Sequence, residues 1–351
     1  MSLKPSCDCD RVCAFFNATM RLGTKIERRR SMISDISDLF LRLDKEVSKI
    51  VVGKSAQLRL MTAAILAEGH ILLDDLPGVG KTTMVKALAL ALGCGFRRIQ
   101  FTPDLLPSDV VGMNIYDRTS GNFRRMEGPV MTNLLLADEL NRAIPRTQSA
   151  LLEAMAERQI TLDGVSTPLP APFAVLATQN PVESESTFRL PAAQLDRFMI
   201  CLTLGYLSPG EEVNMLKSVG NEVRFDYIGA VTNPQELVSF SRAVYDVSVT
   251  DDMMDYIVAL VSATRDHSML RLGGSPRATR DLYRASKALA AVSGRDYVTP
   301  DDVHELAACL LCHRLAPSPE ARVAGKSVES ILSDIVGSIP VPPARDRLFR
   351  E

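Results

Sequence analysis

The sequence predicts an α/β fold: a five-stranded parallel sheet between helices, followed by an all-helical second domain. Three observations lead there. Apolar runs of strand length alternate with stretches of helical periodicity up to about Tyr206. The first of these runs flows into a glycine-rich loop with a lysine and then a helix. Beyond Tyr206 the strand-like runs stop, and successive segments show helical spacing after Pro, Asp, Ser or Thr starts.

Residues 1–35 are mixed and weakly patterned and read as an extension or a frayed helix. From Ser34 to Lys49, Ile36, Leu39, Phe40, Leu43 and Val47 recur at helical spacing, and a second helix ends at Gly69. HILLDDL is the first strand, and TTMVKALALALG the helix after the loop. FRRIQFT, NLLLADEL, FAVLATQ and RFMICLTL supply four more strands, with the helix QSALLEAMAERQ before the fourth. Between that helix and strand, Ile160 to Ser166 alternates apolar and polar residues around Asp163-Gly164, the strongest short signal for a tight hairpin. Five helical segments follow, from PGEEVNMLKSV to TPDDVHELAACLLCHRL. With 351 residues, and roughly 100–200 per domain, the chain divides at Leu207-Ser208-Pro209-Gly210 into residues 36–206 and 207–351.

Composition narrows the function. Net charge is −2 and the pI near 6.2, without the basic stripe of a protein whose main task is gripping nucleic acid. No apolar run approaches the ~20 residues of a membrane helix, and the N-terminus lacks a signal-peptide core. The chain therefore reads as cytoplasmic, with its seven cysteines reduced. Cys7, Cys9 and Cys13 lie close together without a fourth ligand nearby and read as free thiols. Cys309-Leu310-Leu311-Cys312-His313 matches a haem-attachment string, but it lies in an apolar helical stretch and reads as core.

The chemistry is carried by DDLPGVGKTT. Gly78 and Gly80 allow the backbone to approach phosphates and Pro77 stiffens the entry, so that the N–H groups of Gly78, Val79, Gly80, Lys81, Thr82 and Thr83 at a helix start can converge on an anion. Lys81 can reach β- and γ-phosphates, and the Thr82 hydroxyl can bind Mg2+. Asp75 stands where the general pattern has its first glycine, and there it begins the turn. The second element is LLLADE: Asp138 ends an apolar strand, where it can hold Mg2+ through water, and Glu139 can polarise a water for attack on the γ-phosphate. Asn180, after the fourth strand, can orient that water or simply start a turn before Pro181.

The runs LLLADELNRAIPRTQSALLEAMAERQITLDG, FAVLATQNPVESESTFRLPAAQLDRF and GGSPRATRDLYRASKALA resemble the MoxR family of AAA+ ATPases over about residues 36–316. The resemblance implies a P-loop AAA+ core with a hairpin inserted in helix 2 and a C-terminal all-α lid, acting on ATP with Mg2+. In that family an acidic residue commonly stands at the position of Asp75. It implies that Asn180 is sensor 1 and that Arg197, in LDRF, is an arginine finger offered to the neighbouring subunit. Arg277, in SPR, is implied as sensor 2 on its own subunit's γ-phosphate, and Arg142 as an arginine near the interface. The hairpin at 160–165 is matched to the helix-2 insert, often placed toward a central pore. Arg189 and Ala193 depart from the family's more usual proline and glutamate.

Such proteins form homo-oligomers, as hexameric rings, and act as chaperone-like remodelling or maturation factors on partners bearing von Willebrand factor A domains. Other classes remain: a replicative-helicase-like DNA motor, which the acidic pI opposes, and a non-catalytic nucleotide-gated scaffold, which the presence of Glu139 opposes. A small-molecule kinase lacks an acceptor-binding pattern here, and a GTPase lacks its N-K-x-D signature.

Overall fold

The computed structural model describes residues 30–119, 121–180, 188–219 and 224–342. Cys7, Cys9, Cys13 and Pro181 lie outside the described residues. The chain enters through a helix over residues 30–47 (α1). This helix begins earlier than the periodicity from Ser34 suggests, because Ile33 extends the apolar stripe by one turn and is only 2% exposed. Helix α2 (Ser55–Leu66) follows.

The sheet is built from β1 (Ile71–Asp74), β2 (Phe96–Gln100), β5 (Leu134–Asp138), β8 (Ala174–Gln179) and β9 (Ile200–Leu202). Their order across the sheet is β2-β5-β8-β1-β9, with every neighbouring pair parallel. The connections carry α3 (Lys81–Ala91), α4 (Pro107–Val111), α5 (Pro145–Glu157) and α6 (Ala192–Leu195). Strands covered on both faces need continuous apolar runs, and alternate residues of β5 divide accordingly. Leu134 and Leu136 join the core beneath α1, α2 and α3, whereas Leu135 and Ala137 join the one beneath α4 and α5. Each fully buried leucine contributes about 1.5–3 kcal/mol.

Two hairpins leave this layer. Strands β6 (Gln159–Leu162) and β7 (Val165–Pro168) pair through Leu162 and Val165, flanking Asp163 at φ 49° and Gly164 at φ 81°. Two successive positive φ values are what a two-residue hairpin turn of the primed type demands. The Asp-Gly signal is thus realised, but its assignment to helix 2 is corrected. This hairpin joins α5 to β8, whereas the helix after the second sheet strand is α4. From the end of α4 grows the other hairpin, β3 (Gly112–Asp117) with β4 (Asn122–Glu127). The two hairpins are docked together. Asn114 Nδ2 donates to Asp163 Oδ2 at 2.7 Å, and Arg125 Nη1 donates to Thr167 Oγ1 at 2.7 Å.

Beyond β9 come α7 (Pro209–Val219), α8 (Pro234–Tyr245), α9 (Asp251–Asp266), α10 (Pro276–Val292), α11 (Pro300–Leu311), α12 (Pro319–Val323) and α13 (Val328–Ser338). Their starts carry side-chain caps: Asn233, Thr250, Ser275, Ser318 and Ser327 each accept a backbone N–H three residues on. The domain is not wholly helical. Strands β10 (Leu270–Leu272) and β11 (Ala316–Pro317) form a short antiparallel ladder. Helix α10 packs on α2, α8, α9 and α11, so the core under α2 runs without a break into the lid. Cys309 and Cys312 pack against that core, and burial pushes their thiols up to about 12 and about 11. Among the described residues no helix is long and apolar enough to cross a membrane.

Candidate nucleotide site

At the carboxyl edge of the sheet the end of β1 opens into the glycine loop. Gly78 and Gly80 sit at φ 82° and 88°, with open space where a Cβ would project. No side chain caps α3, so the N–H groups of Lys81, Thr82 and Thr83 have neither a cap nor an intrahelical partner. A concave row of amides at a helix start is an anion cradle. Lys81 Nζ donates to the Asp75 carbonyl at 2.6 Å and lies 3.4 Å from the Gln179 carbonyl at the end of β8. Burial holds its pKa below the usual value, opposed by the carboxylates of Asp75, Asp138, Asp74 and Glu139. Burial likewise raises Asp74, against the nearby Lys81 charge. Asp75 does more than begin the turn. Its carboxylate is buried and accepts N–H groups from Leu76, Leu204 and Gly205.

The adjoining strand ends bring the acids beside this cradle. Thr178, on β8, donates through its hydroxyl to Asp138 Oδ1 at 2.6 Å and accepts the Glu139 N–H at 2.9 Å. Asp138 Oδ2 also accepts from Arg98 at 2.7 Å. Glu139 is held at φ 55°, an uncommon conformation for a non-glycine residue. Its Oε2 accepts from Gln100 at 2.7 Å and from Arg142 at 2.8 Å. Asn180 follows directly on β8 and is buried. Lys81, Asp138, Glu139 and Asn180 therefore share one edge, and Arg142, expected near an interface, sits against Glu139. The sequence reading missed Arg98, Gln100 and Thr178. A signal existed in part: Arg98 and Gln100 are two apart on β2, so they face the same way, and Gln100 is in register with Asp138.

Arg197 and Arg277 lie at the other edge. A cleft of about 140 Å³ is lined by Gly69 and His70, which precede β1, and by Met199, which precedes β9. Arg158, Arg197, Arg277, Arg280 and Arg284 line it too. Arg158 donates to the Phe173 and Glu68 carbonyls, Arg284 donates to the Ala67 carbonyl and pairs with Glu68 at 3.0 Å, and Arg197 donates to the Leu152 carbonyl. The LDRF and SPR segments are bolted together there. Ser275 Oγ donates to Asp196 at 2.9 Å, and buried Arg314 bridges to Asp281 at 2.8 Å and to the Phe198 carbonyl at 2.7 Å. The four residues of β1, rising about 3.3 Å each, set this cleft roughly 13 Å from the start of the phosphate loop of the same chain. The expected contact of Arg277 with its own subunit's γ-phosphate does not fit this placement. The start of α10 is fastened beside Arg197 instead.

Comparison with known proteins agrees with this architecture. Residues 70–200 match the model for the ATPase family associated with various cellular activities (AAA), and residues 262–335 match the AAA lid domain. The chain is 45% identical to the uncharacterised protein YeaC of Bacillus subtilis over 89% of its length and 97% of that protein. It is 39% identical to chaperone MoxR1 of Mycobacterium tuberculosis, over 85% of this chain and 81% of that one. A crystal structure of a candidate ATPase from Cytophaga hutchinsonii superposes with a TM-score of 0.84 at 37% identity, covering 91% of this chain and 99% of that one. An α/β P-loop core with a C-terminal helical lid, together with these matches along most of the sequence, leads to one conclusion: the chain belongs to the MoxR family of AAA+ ATPases.

Proposed function

We propose that the protein hydrolyses ATP with Mg2+, in a ring of identical subunits, to remodel or mature partner proteins. The observation that carries this reading is the meeting of Lys81, Asp138, Glu139 and Asn180 at the ends of β1, β5 and β8, beside an open amide-lined loop. The amides from Gly78 to Thr83 surround the phosphates, with Pro77 stiffening the entry, and Lys81 exchanges the Asp75 carbonyl for phosphate oxygens. Among the described residues no three His, Cys, Asp or Glu side chains gather as a metal cage. Mg2+ keeps several waters and takes one or two protein oxygens, and Thr82 and Asp138 would supply them. When bound, it neutralises charge on the β- and γ-phosphate oxygens.

Glu139 accepts the proton of the attacking water, and Asn180 orients that water. To do so, Glu139 leaves Gln100 and Arg142, as Asp138 leaves Arg98. Arg197 and Arg277 serve the neighbouring subunit's nucleotide, an assignment supported by their shared cleft at the far edge. An arginine supplied in trans contributes about 10³–10⁵ in rate. The hexameric count, the cytoplasmic setting and a partner bearing a von Willebrand factor A domain follow from the family resemblance.

The test is phosphate release from Mg-ATP alongside binding of a fluorescent ATP analogue. Glu139→Gln keeps analogue binding and loses about 100-fold or more in turnover, whereas Lys81→Ala loses both. Undiminished turnover in Glu139→Gln would refute the reading. The same trapped variant is the bait for the client protein.

A further inference from the structure

The segment leaving β9 is gripped from both sides by charged groups that no catalytic role explains. Asp75 is 4% exposed, and its two carboxylate oxygens take three backbone N–H groups: Leu76 at 2.8 Å, Leu204 at 2.6 Å and Gly205 at 2.8 Å. Lys54, 8% exposed at the start of α2, donates to the carbonyls of Leu204 at 2.7 Å, Gly205 at 3.2 Å and Tyr206 at 3.1 Å. Gly205, at φ 65°, turns the chain between the two grips. Four residues after Gly205, Pro209 starts α7, the first helix beyond the sheet. A buried carboxylate costs free energy unless it is fully hydrogen-bonded, and a turn needs only a glycine here. An aspartate at this position therefore does something that the glycine of the general phosphate loop cannot.

We infer that Asp75 and Lys54 are a pair of positioning residues that couple the phosphate loop to residues 204–206, so that nucleotide in the cradle sets the position of α7 and the lid. The inference rests on the proposed ATP site. The path is short. Lys81 Nζ is bonded to the carbonyl of Asp75, the side chain of Asp75 is bonded to the amides of Leu204 and Gly205, and Lys54 holds the carbonyls of the same residues against α2. When Lys81 turns to a phosphate it releases the Asp75 carbonyl, and any shift of Asp75 is passed to Leu204 through a charge-assisted bond. Helix α2 packs on α8 and α10, so the Lys54 end of the clamp is anchored to the lid.

The chain contains no tryptophan, which makes a single reporter available. Tyr206 is 73% exposed, and Tyr206→Trp places an emitter at the clamp. In full-length protein with this substitution, a non-hydrolysable ATP analogue with Mg2+ shifts the tryptophan emission. Adding Asp75→Gly, which restores the general loop, leaves the affinity for mant-ATP within about threefold. It abolishes most of the emission response and lowers kcat about tenfold with KM little changed. Lys54→Met, which leaves the loop backbone untouched, behaves alike and carries the test if the glycine variant folds poorly. A parent-like emission response and kcat in these variants overturns the inference. So does a loss that falls on mant-ATP affinity instead of kcat, since Asp75 would then only shape the cradle. Failure of the Tyr206→Trp parent itself to bind mant-ATP overturns the ATP reading and this inference with it.

Discussion

His70 is held as a neutral imidazole at the amino edge of the sheet. Its Nδ1 accepts the Val175 N–H at 3.0 Å, and its Nε2 faces the Met155 carbonyl at 3.1 Å, which fixes the proton on Nε2. Burial, reinforced by the nearby Arg158 charge, pushes its pKa down to about 3, and burial does the same to His313. Above about pH 6.5 both folded and unfolded chains carry these rings neutral, so they add no pH dependence. Below that value the unfolded chain binds protons that the folded one refuses, and stability falls with pH until about 3. Each ring removes up to about 1.4 kcal/mol per pH unit. Urea midpoints between pH 6.5 and 5, where ordinary carboxylates stay ionised, should therefore drop, and His70→Phe should flatten the slope. An unchanged slope in that variant would show that His70 takes up its proton in the folded state. At this scale the sequence was legible where function is local. The loop from Pro77 to Thr83 and the pair Asp138-Glu139 are contiguous strings whose chemistry can be read in place. His70, Arg98 and Thr178 were not legible, because their partners lie on other strands and depend on register.

The hairpins show the same division among elements. Asp163-Gly164 could be read because a two-residue turn with both φ values positive admits few residues. The link of the other hairpin, residues 118–121, has no such pair, and so β3 and β4 passed unnoticed. Gly164 has open space where a Cβ would point, so Gly164→Ala tests backbone conformation alone. It should cost about 1 kcal/mol in urea unfolding, from placing an L-residue at positive φ. No loss would mean that the turn relaxes to another type. Tyr116 and Phe123, edge-to-face at 5.4 Å, stand exposed on the β3–β4 hairpin with Met113, Ile115 and Met126. Helix α1 was the more legible element. Leu39, Leu43 and Val47 follow helical spacing, and all are buried.

For the whole molecule, the number of parallel sheet strands followed from the apolar runs, but their order across the sheet and the docking of the lid did not. Nothing local in Ser275-Pro276-Arg277 says that Ser275 will bond to Asp196, a bond that fastens the start of α10 beside Arg197. One protomer thus presents Lys81 on one side and Arg197 on the other. In the proposed head-to-tail ring each site would be closed from two chains. Lys81→Ala and Arg197→Ala proteins should each be inactive alone. Mixed in equal amounts and allowed to exchange subunits, they should regain about a quarter of the sites, where the cradle of an Arg197→Ala subunit meets the arginine of a Lys81→Ala neighbour. Phosphate release that stays at the level of the separate variants would place both groups in one chain's site. The two-edged layout also has a genetic consequence. If the proposed ring forms, a cell expressing an Arg197 allele beside an intact gene copy would hold rings in which healthy protomers stall next to defective ones, so the lesion should behave as dominant although the altered polypeptide would fold and grip its own ligand normally.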